Sequence, residues 1–314
     1  MKLWVLGTGE SIAYHREELE KMRRADQKIL SFQRTFPLEY KFYNIVPDYW
    51  AWMDPNSATE GLKFLLSVPP SDPEYQKIMN IEILVPHFLA DNYAYYRLYG
   101  GTTATAPDRA DDPHRTCSWE EYLELLNRVR QIGIKVTVFE ATTTKHQYTL
   151  SPSTTQSDAT YCVGDFIERF EEDAPIVFGT AAYDGEYIWA PPHGNWSKWG
   201  LENKVSSAIF PLAQYLKAQY VFVMGFDFAG ARFWEVDADV RLRSTLDSSN
   251  FGDSRPEAHA AQEQEQMDIS LGFVKKWMDT QETHKMKIYS VFEDTYTLIN
   301  QVVPHISFDE ALEL

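Results

Sequence analysis

The feature that most constrains the fold is the opening run Leu3-Trp4-Val5-Leu6, which ends directly in Gly7-Thr8-Gly9. Four consecutive apolar residues stopped by a glycine turn read as a first strand buried on both faces. From Glu10 to Arg24 polar and apolar residues follow a helical spacing, so the turn is expected to open onto a helix. Such a helix start leaves bare backbone N–H groups and the positive end of the helix dipole over the turn, which suits an anion. Glycine serves there because a Cβ would hold a phosphate or sugar away from the backbone. Position 12 is Ile, so the full Gly-x-Gly-x-x-Gly fingerprint is absent, and no acidic residue is clearly placed to hold an NAD ribose. A strand that merely turns into a helix is the competing reading of this stretch.

The same alternation recurs downstream. Residues 28–33 predict a second short strand with Gln33 and Arg34 at its exit, and Tyr43 to Trp52 is aromatic and reads as extended. Asp54-Pro55-Asn56-Ser57 forms a loop that caps a helix from Thr59 to Leu66, and Ile81 to Pro86 is a third apolar strand. Ser118 with Glu121 makes a capping box for a helix ending near Gly133, followed by a β-branched strand at Ile134 to Phe139. A helix from Ser206 through Leu216 precedes the most strand-like run, Gln219 to Gly225, which is followed by Phe226-Asp227-Phe228. A helix at about 255–280, a strand at Met286 to Phe292 and a C-terminal tail complete the pattern. Strands alternating with helices predict βαβ units and a mostly parallel sheet, with ligands at the carboxyl ends of the strands. Gly7, Gly9, Gly225 and Asp227 all fall at such ends.

Between these regions the order weakens. Gly100 to Thr116 reads as a loop, and Thr142 to Thr160 is polar with no helical or strand period, as in a lid or insertion. Tyr187 to Trp199 mixes Trp, Pro, Gly and His; it suits stacking on a sugar or base, and irregular surface packing equally, with His193 read as a loop hydrogen-bonder. The expectation is one Rossmann-like α/β domain over residues 1–314, with roughly 100–200 as an inserted lid or acceptor-side subregion.

Composition bounds the function. A net charge of −17 argues against nucleic acid as a partner, because a phosphate backbone needs a basic face, and against an unaided hold on anionic membranes. A small phosphorylated ligand needs only a local positive site. Cys117 and Cys162 are the only cysteines, lack metal-ligand spacing and read as reduced thiols inside a cell. No apolar run approaches the ~20 residues that span a bilayer, and the strand starting at Leu3 leaves no room for a leader. A cytoplasmic protein, with an oligomer compatible, is expected.

Two separated stretches resemble a known family. Gly7-Thr8-Gly9-Glu10-Ser11-Ile12 resembles the Gly-x-Gly-Pro-Ser-Leu opening of bacterial lipooligosaccharide sialyltransferases. Lys204 to Phe210, its helix, and Val221 to Phe228 resemble that family's second signature, in which Arg-x-Thr-Ser-Gly begins a helix and a strand ending in Gly-Ile-Asp-Phe follows. A related group on the same plan includes the archaeal 6-hydroxymethylpterin diphosphokinases. The resemblance covers roughly residues 1–60 and 200–300.

It implies a glycosyltransferase that moves a sugar from a nucleotide donor, CMP-sugar favoured, to the hydroxyl of a glycan acceptor. Thr8, Gln33 and Asp54 stand where the family has donor-binding Asn residues; Lys204 replaces the Arg, and Ser207 matches a Ser that helps hold the nucleotide. His259 is the nearest candidate for the family's general base, and an imidazole has a suitable unperturbed pKa near 6.5. The two tyrosines that stabilise the leaving phosphate have no clean counterparts: Ala229 occupies one position, and Phe233 or Trp234 lies near the other. Their hydroxyls are the leaving-group donors expected of a sialyltransferase.

The candidate site is therefore Gly7, Thr8, Gly9, Glu10, Ser11, Gln33, Asp54, Lys204, Ser206, Ser207 and Gly225 for the nucleotide, with His259 and Asp227 catalytic. Asp227 would position a ribose or acceptor, or else cap the turn. No metal ligand is assigned; a metal-assisted version would use Mg or Mn, and Asp237 with Asp239 has the letters of a D-x-D pair, a spacing so acidic a chain produces by chance. The alternatives are a Mg/ATP-dependent diphosphokinase-like phosphotransferase and a non-catalytic nucleotide-binding protein.

Overall fold

The computed structural model describes residues 1–25, 27–52, 55–86, 119–140, 176–177, 209, 212–213, 216–227, 233, 271, 274–275, 278, 286–293 and 298–314. Among the described residues eight strands form one sheet: β1 (Lys2–Leu6), β2 (Lys28–Phe32), β3 (Tyr49–Ala51), β4 (Glu82–Pro86), β5 (Val136–Glu140), β6 (Ile176–Val177), β7 (Tyr220–Met224) and β8 (Lys287–Ser290). Their spatial order is β6-β5-β4-β3-β2-β1-β7-β8, and all seven neighbouring pairs are parallel. The chain thus builds outward from β1 to one edge, then returns to lay β7 and β8 on the other side of β1. Its winding reverses between β1 and β7, and a Rossmann-like α/β sheet is the result.

Strand alternation explains why β1 must be apolar throughout. Leu3 and Val5 join Leu30, Phe32, Val221 and Val223 in one buried cluster, while Trp4 and Leu6 join Ile29, Phe222 and Met224 in another. On the first face lie α4 (Pro55–Ser67), through Ala58, Leu62 and Leu65, and α6 (Trp119–Gln131), through Tyr122, Leu126 and Val129. On the second lie α2 (Arg16–Arg24), through Leu19 and Met22, and the C-terminal α7 (Phe308–Glu313), through Phe308 and Ala311. Buried tryptophans find acceptors for their N–H groups: Trp50 donates to the Gln33 carbonyl at 2.9 Å and Trp52 to the Tyr122 hydroxyl at 3.0 Å.

Several elements depart from the sequence reading. The helix expected over 10–24 is broken at His15 into α1 (Ser11–Tyr14) and α2, because His15 leaves helical geometry at φ −116°, ψ 42°. The stretch read as extended from Tyr43 begins instead at the end of α3 (Thr35–Tyr43), which Asn44 terminates in the left-handed region at φ 56°. Pro55 opens α4 earlier than expected, since its fixed φ and missing N–H suit a first helical position. The short α5 (Tyr75–Met79) and the two-residue β6 have too few periods to be read from sequence. The C-terminal tail holds a 3₁₀ turn at Leu298–Gln301 and α7, whose capping box closes with Ser307 N–H donating to Glu310 Oε2 at 2.9 Å. Leu271, Val274, Lys275 and Met278 are helical, within the helix expected at 255–280.

Candidate functional site

The winding reversal brings together two glycine turns that lie more than two hundred residues apart in sequence. Register pairs Leu6 with Met224, and bonding continues past the strand ends: Gly7 N–H donates to the Met224 carbonyl and Gly9 N–H to the Gly225 carbonyl, both at 2.8 Å. So close an approach excludes side chains. A Cβ on Gly7 would lie 2.4 Å from the Gly225 oxygen, and Gly225 itself needs φ +69° with the Ile12 side chain against it.

Asp227 closes this junction. Its Oδ2 accepts the Ser11 backbone N–H at 2.8 Å and its Oδ1 accepts the Ser11 hydroxyl at 2.6 Å. A Cβ on Gly9 would stand 2.2 Å from Oδ2, so the carboxylate occupies the volume that glycine leaves open. Asp227 is 1% exposed, Ser11 0% and Glu10 7%. The backbone carbonyl of Asp227 accepts from Leu298 N–H at 2.9 Å, tying the turn to the 3₁₀ segment, and the Thr8 carbonyl accepts from Phe233 N–H at 3.0 Å. The N–H of Ser11 is therefore not bare as the sequence suggested: an internal carboxylate holds it, and α1 is only four residues long. Its position 216 residues away concealed that partner in the sequence.

Gln33 follows β2, the neighbour of β1. The last register pair is Leu6 with Ser31, so Thr8 and Gln33, two residues further along each chain, stand at adjacent strand ends. Gln33 adopts φ 54°, gives its N–H to the Ala51 carbonyl at 2.8 Å, and keeps a buried Oε1 with no hydrogen-bond partner. Two residues earlier in the chain, Ser31 belongs to a polar pair that sequence reading missed. Ser31 hydroxyl donates to Glu39 Oε2 at 2.5 Å, Glu39 Oε1 has no partner, and burial pushes the Glu39 carboxyl up to about 8 against the smaller opposing pull of Ser31. Nothing in Leu38-Glu39-Tyr40 marks its acid as buried. His15, at the helix break, stacks on Phe292 with ring centroids 3.8 Å apart and Nδ1 3.6 Å from Glu18.

The structure thus brings Gly7, Thr8, Gly9, Glu10, Ser11, Gly225 and Asp227 to one place and sets Gln33 beside them. Asp54, Lys204, Ser206, Ser207 and His259 lie outside the described residues, as do His193, both cysteines, Asp237 and Asp239. Among the described residues no group of three or more His, Cys, Asp or Glu is placed to hold a metal ion.

Comparisons with protein-family models, with curated proteins and with solved structures found no match. No helix among the described residues is long and apolar enough to cross a membrane.

Proposed function

We propose that this protein is a nucleotide-sugar-dependent glycosyltransferase, sialyltransferase-like, that moves a sugar from a nucleotide donor, with a CMP-sugar favoured, to the hydroxyl of a glycan acceptor. The observation that carries this reading is the reversal of winding between β1 and β7, with the Gly7–Ser11 turn at the carboxyl end of one strand and Gly225–Asp227 at that of the other. Open parallel sheets bind ligands over such a point. Thr8 and Gln33 would meet the donor from adjacent strand ends. Lys204, Ser206 and Ser207 would hold phosphate, and His259 would take the proton of the acceptor hydroxyl as the glycosidic bond to the nucleotide breaks. Asp227 acts here as a positioning residue that fixes Ser11, because both of its oxygens are engaged there. A cytoplasmic setting belongs to this proposal.

Thermal stability against CMP, UDP, GDP and ATP, each with and without Mg or Mn, tests the reading. A ligand at about 100 times its Kd adds ~2.7 kcal/mol to stability, a readable rise in Tm. A metal-independent shift with CMP is expected. A metal-dependent shift with UDP or GDP would change the donor, ATP with Mg would turn the reading to a phosphotransferase, and no shift with any nucleotide would overturn it. In a turnover assay, His259→Ala should lose activity at unchanged nucleotide affinity; equal loss of both would remove His259 from the role of base.

A further inference from the structure

We infer that Gln33 reads the ribose of the bound nucleotide, its side-chain amide accepting a hydrogen bond from a ribose hydroxyl at the carboxyl end of β2. The inference rests on the function proposed above and names the part of the donor that this strand end receives. Among the described residues three other than glycine take positive φ: Gln33 at 54°, Asn44 at 56° and Lys217 at 57°. Asn44 ends α3, and Lys217 closes a helical turn in which Ala218 N–H returns to the Ala213 carbonyl at 2.9 Å, so both serve helix termination. Gln33 follows a strand, where no such need arises. Its conformation is held from β3 on both sides of the residue: its N–H donates to the Ala51 carbonyl at 2.8 Å, and its carbonyl accepts from Trp50 Nε1–H at 2.9 Å. Backbone strain fixed by surrounding contacts in this way clusters where a functional side chain must be oriented.

The side chain so placed is unpaired. Gln33 is 9% exposed, and its Oε1 is buried with no hydrogen-bond partner. Two other buried side-chain atoms share that condition among the described residues, but their groups are engaged through a second atom: Glu39 receives the Ser31 hydroxyl, and Asn300 gives Nδ2 to the Phe292 carbonyl at 2.8 Å. No such bond ties the Gln33 amide among the described residues. A buried acceptor left unpaired is unfavourable, and a ligand that pairs it recovers the cost. A half-turn of the amide exchanges oxygen and nitrogen within the same volume, so a ligand is met without moving the backbone. Position decides which group it meets. Thr8 and Gln33 stand at adjacent strand ends. In an open parallel sheet whose first strand runs into a glycine turn, the acceptor that follows in the next strand receives a ribose hydroxyl. A carboxylate often serves there; an amide oxygen accepts the same O–H and adds no charge.

The test is calorimetric titration of the full chain with CMP and with its 2′-deoxy and 3′-deoxy forms. The natural protein is expected to bind CMP about tenfold tighter than at least one deoxy form, a difference of about 1.4 kcal/mol. Gln33→Leu keeps the bulk and removes the amide, while Gln33→Gly also relieves the left-handed backbone and so guards against a folding defect. Both variants should lose about tenfold in CMP affinity and bind CMP and the deoxy forms alike. Equal binding of all three ligands by the natural protein, or the same preference kept in both variants, would overturn the inference and leave the transferase reading intact. An equal loss for all three ligands in the variants would make Gln33 a structural residue, with the same consequence. A changed preference for CMP over UMP with the deoxy ratio intact would assign Gln33 to the base and overturn the inference too. Failure of the natural protein to bind CMP and both deoxy forms would overturn the inference and the CMP-donor reading together.

Discussion

Gly9 shows how a single methyl group decides whether the β1–β7 junction closes. Its need is for space, since the Asp227 carboxylate fills the position of its Cβ at 2.2 Å. Gly133, after α6, needs conformation instead: its φ is +94° and a Cβ there would meet nothing within 4 Å. Gly9→Ala is therefore expected to cost ~2–3 kcal/mol, because a buried charge network must shift, and Gly133→Ala only ~1 kcal/mol of left-handed strain. Urea denaturation of the pair checks this, and equal losses would mean that the turn relaxes freely. Glu39 supplies a pH dependence. Its folded pKa is raised from 4.5 to about 8, so the unfolded chain ionises first, and stability falls as pH rises through that window, with the whole penalty present above it. Glu39→Gln should gain on the natural protein by up to ~1.4 kcal/mol per pH unit between those values. Parallel stability curves for the two would show that Glu39 is charged in the folded protein.

At the scale of elements, α7 stands where the sequence reads only a C-terminal tail. Its six residues are too few to stand alone, yet a capping box closes one end and Phe308 packs on Trp4 with ring centroids 5.0 Å apart. Ser307→Ala should cost ~1 kcal/mol through the lost cap, and Phe308→Ala ~3 kcal/mol through the cavity left beside Trp4. Both are readable as falls in Tm, and a Phe308→Ala loss no larger than that of Ser307→Ala would mean α7 is only loosely docked. The elements legible in sequence were those with a strong local signal: β1, β2, β4, β5, β7 and β8 as short strand runs, α4 after the loop at 54–57, and α6 through the capping-box spacing of Ser118 and Glu121 and its Gly133 end. α3, α5 and β6 carried no such signal. The break between α1 and α2 was equally silent, because His15 is an ordinary helical residue until its ring stacks on Phe292.

At the scale of the molecule, a net charge of −17 makes self-repulsion a standing load on the compact state. Raising ionic strength from about 0.01 M to about 0.15 M shortens the screening length from about 30 Å to about 8 Å. Tm should therefore rise with salt, and a fall would show that surface ion pairs such as Lys28–Asp48, at 2.6 Å, outweigh the net repulsion. The sequence alone determined that the chain forms a parallel α/β sheet, since apolar runs of strand length between amphipathic helices bury their surface in few other ways. It also determined that the Gly7–Gly9 and Gly225 turns end strands, because glycine and the end of each apolar run are local facts. The tertiary structure alone decided that β7 returns beside β1, that Asp227 occupies the Ser11 N–H, and that Glu39 is buried. These depend on which distant segments meet. Local periodicity reports which face of an element is buried, but carries no information about which carboxylate will fill the gap that a glycine leaves.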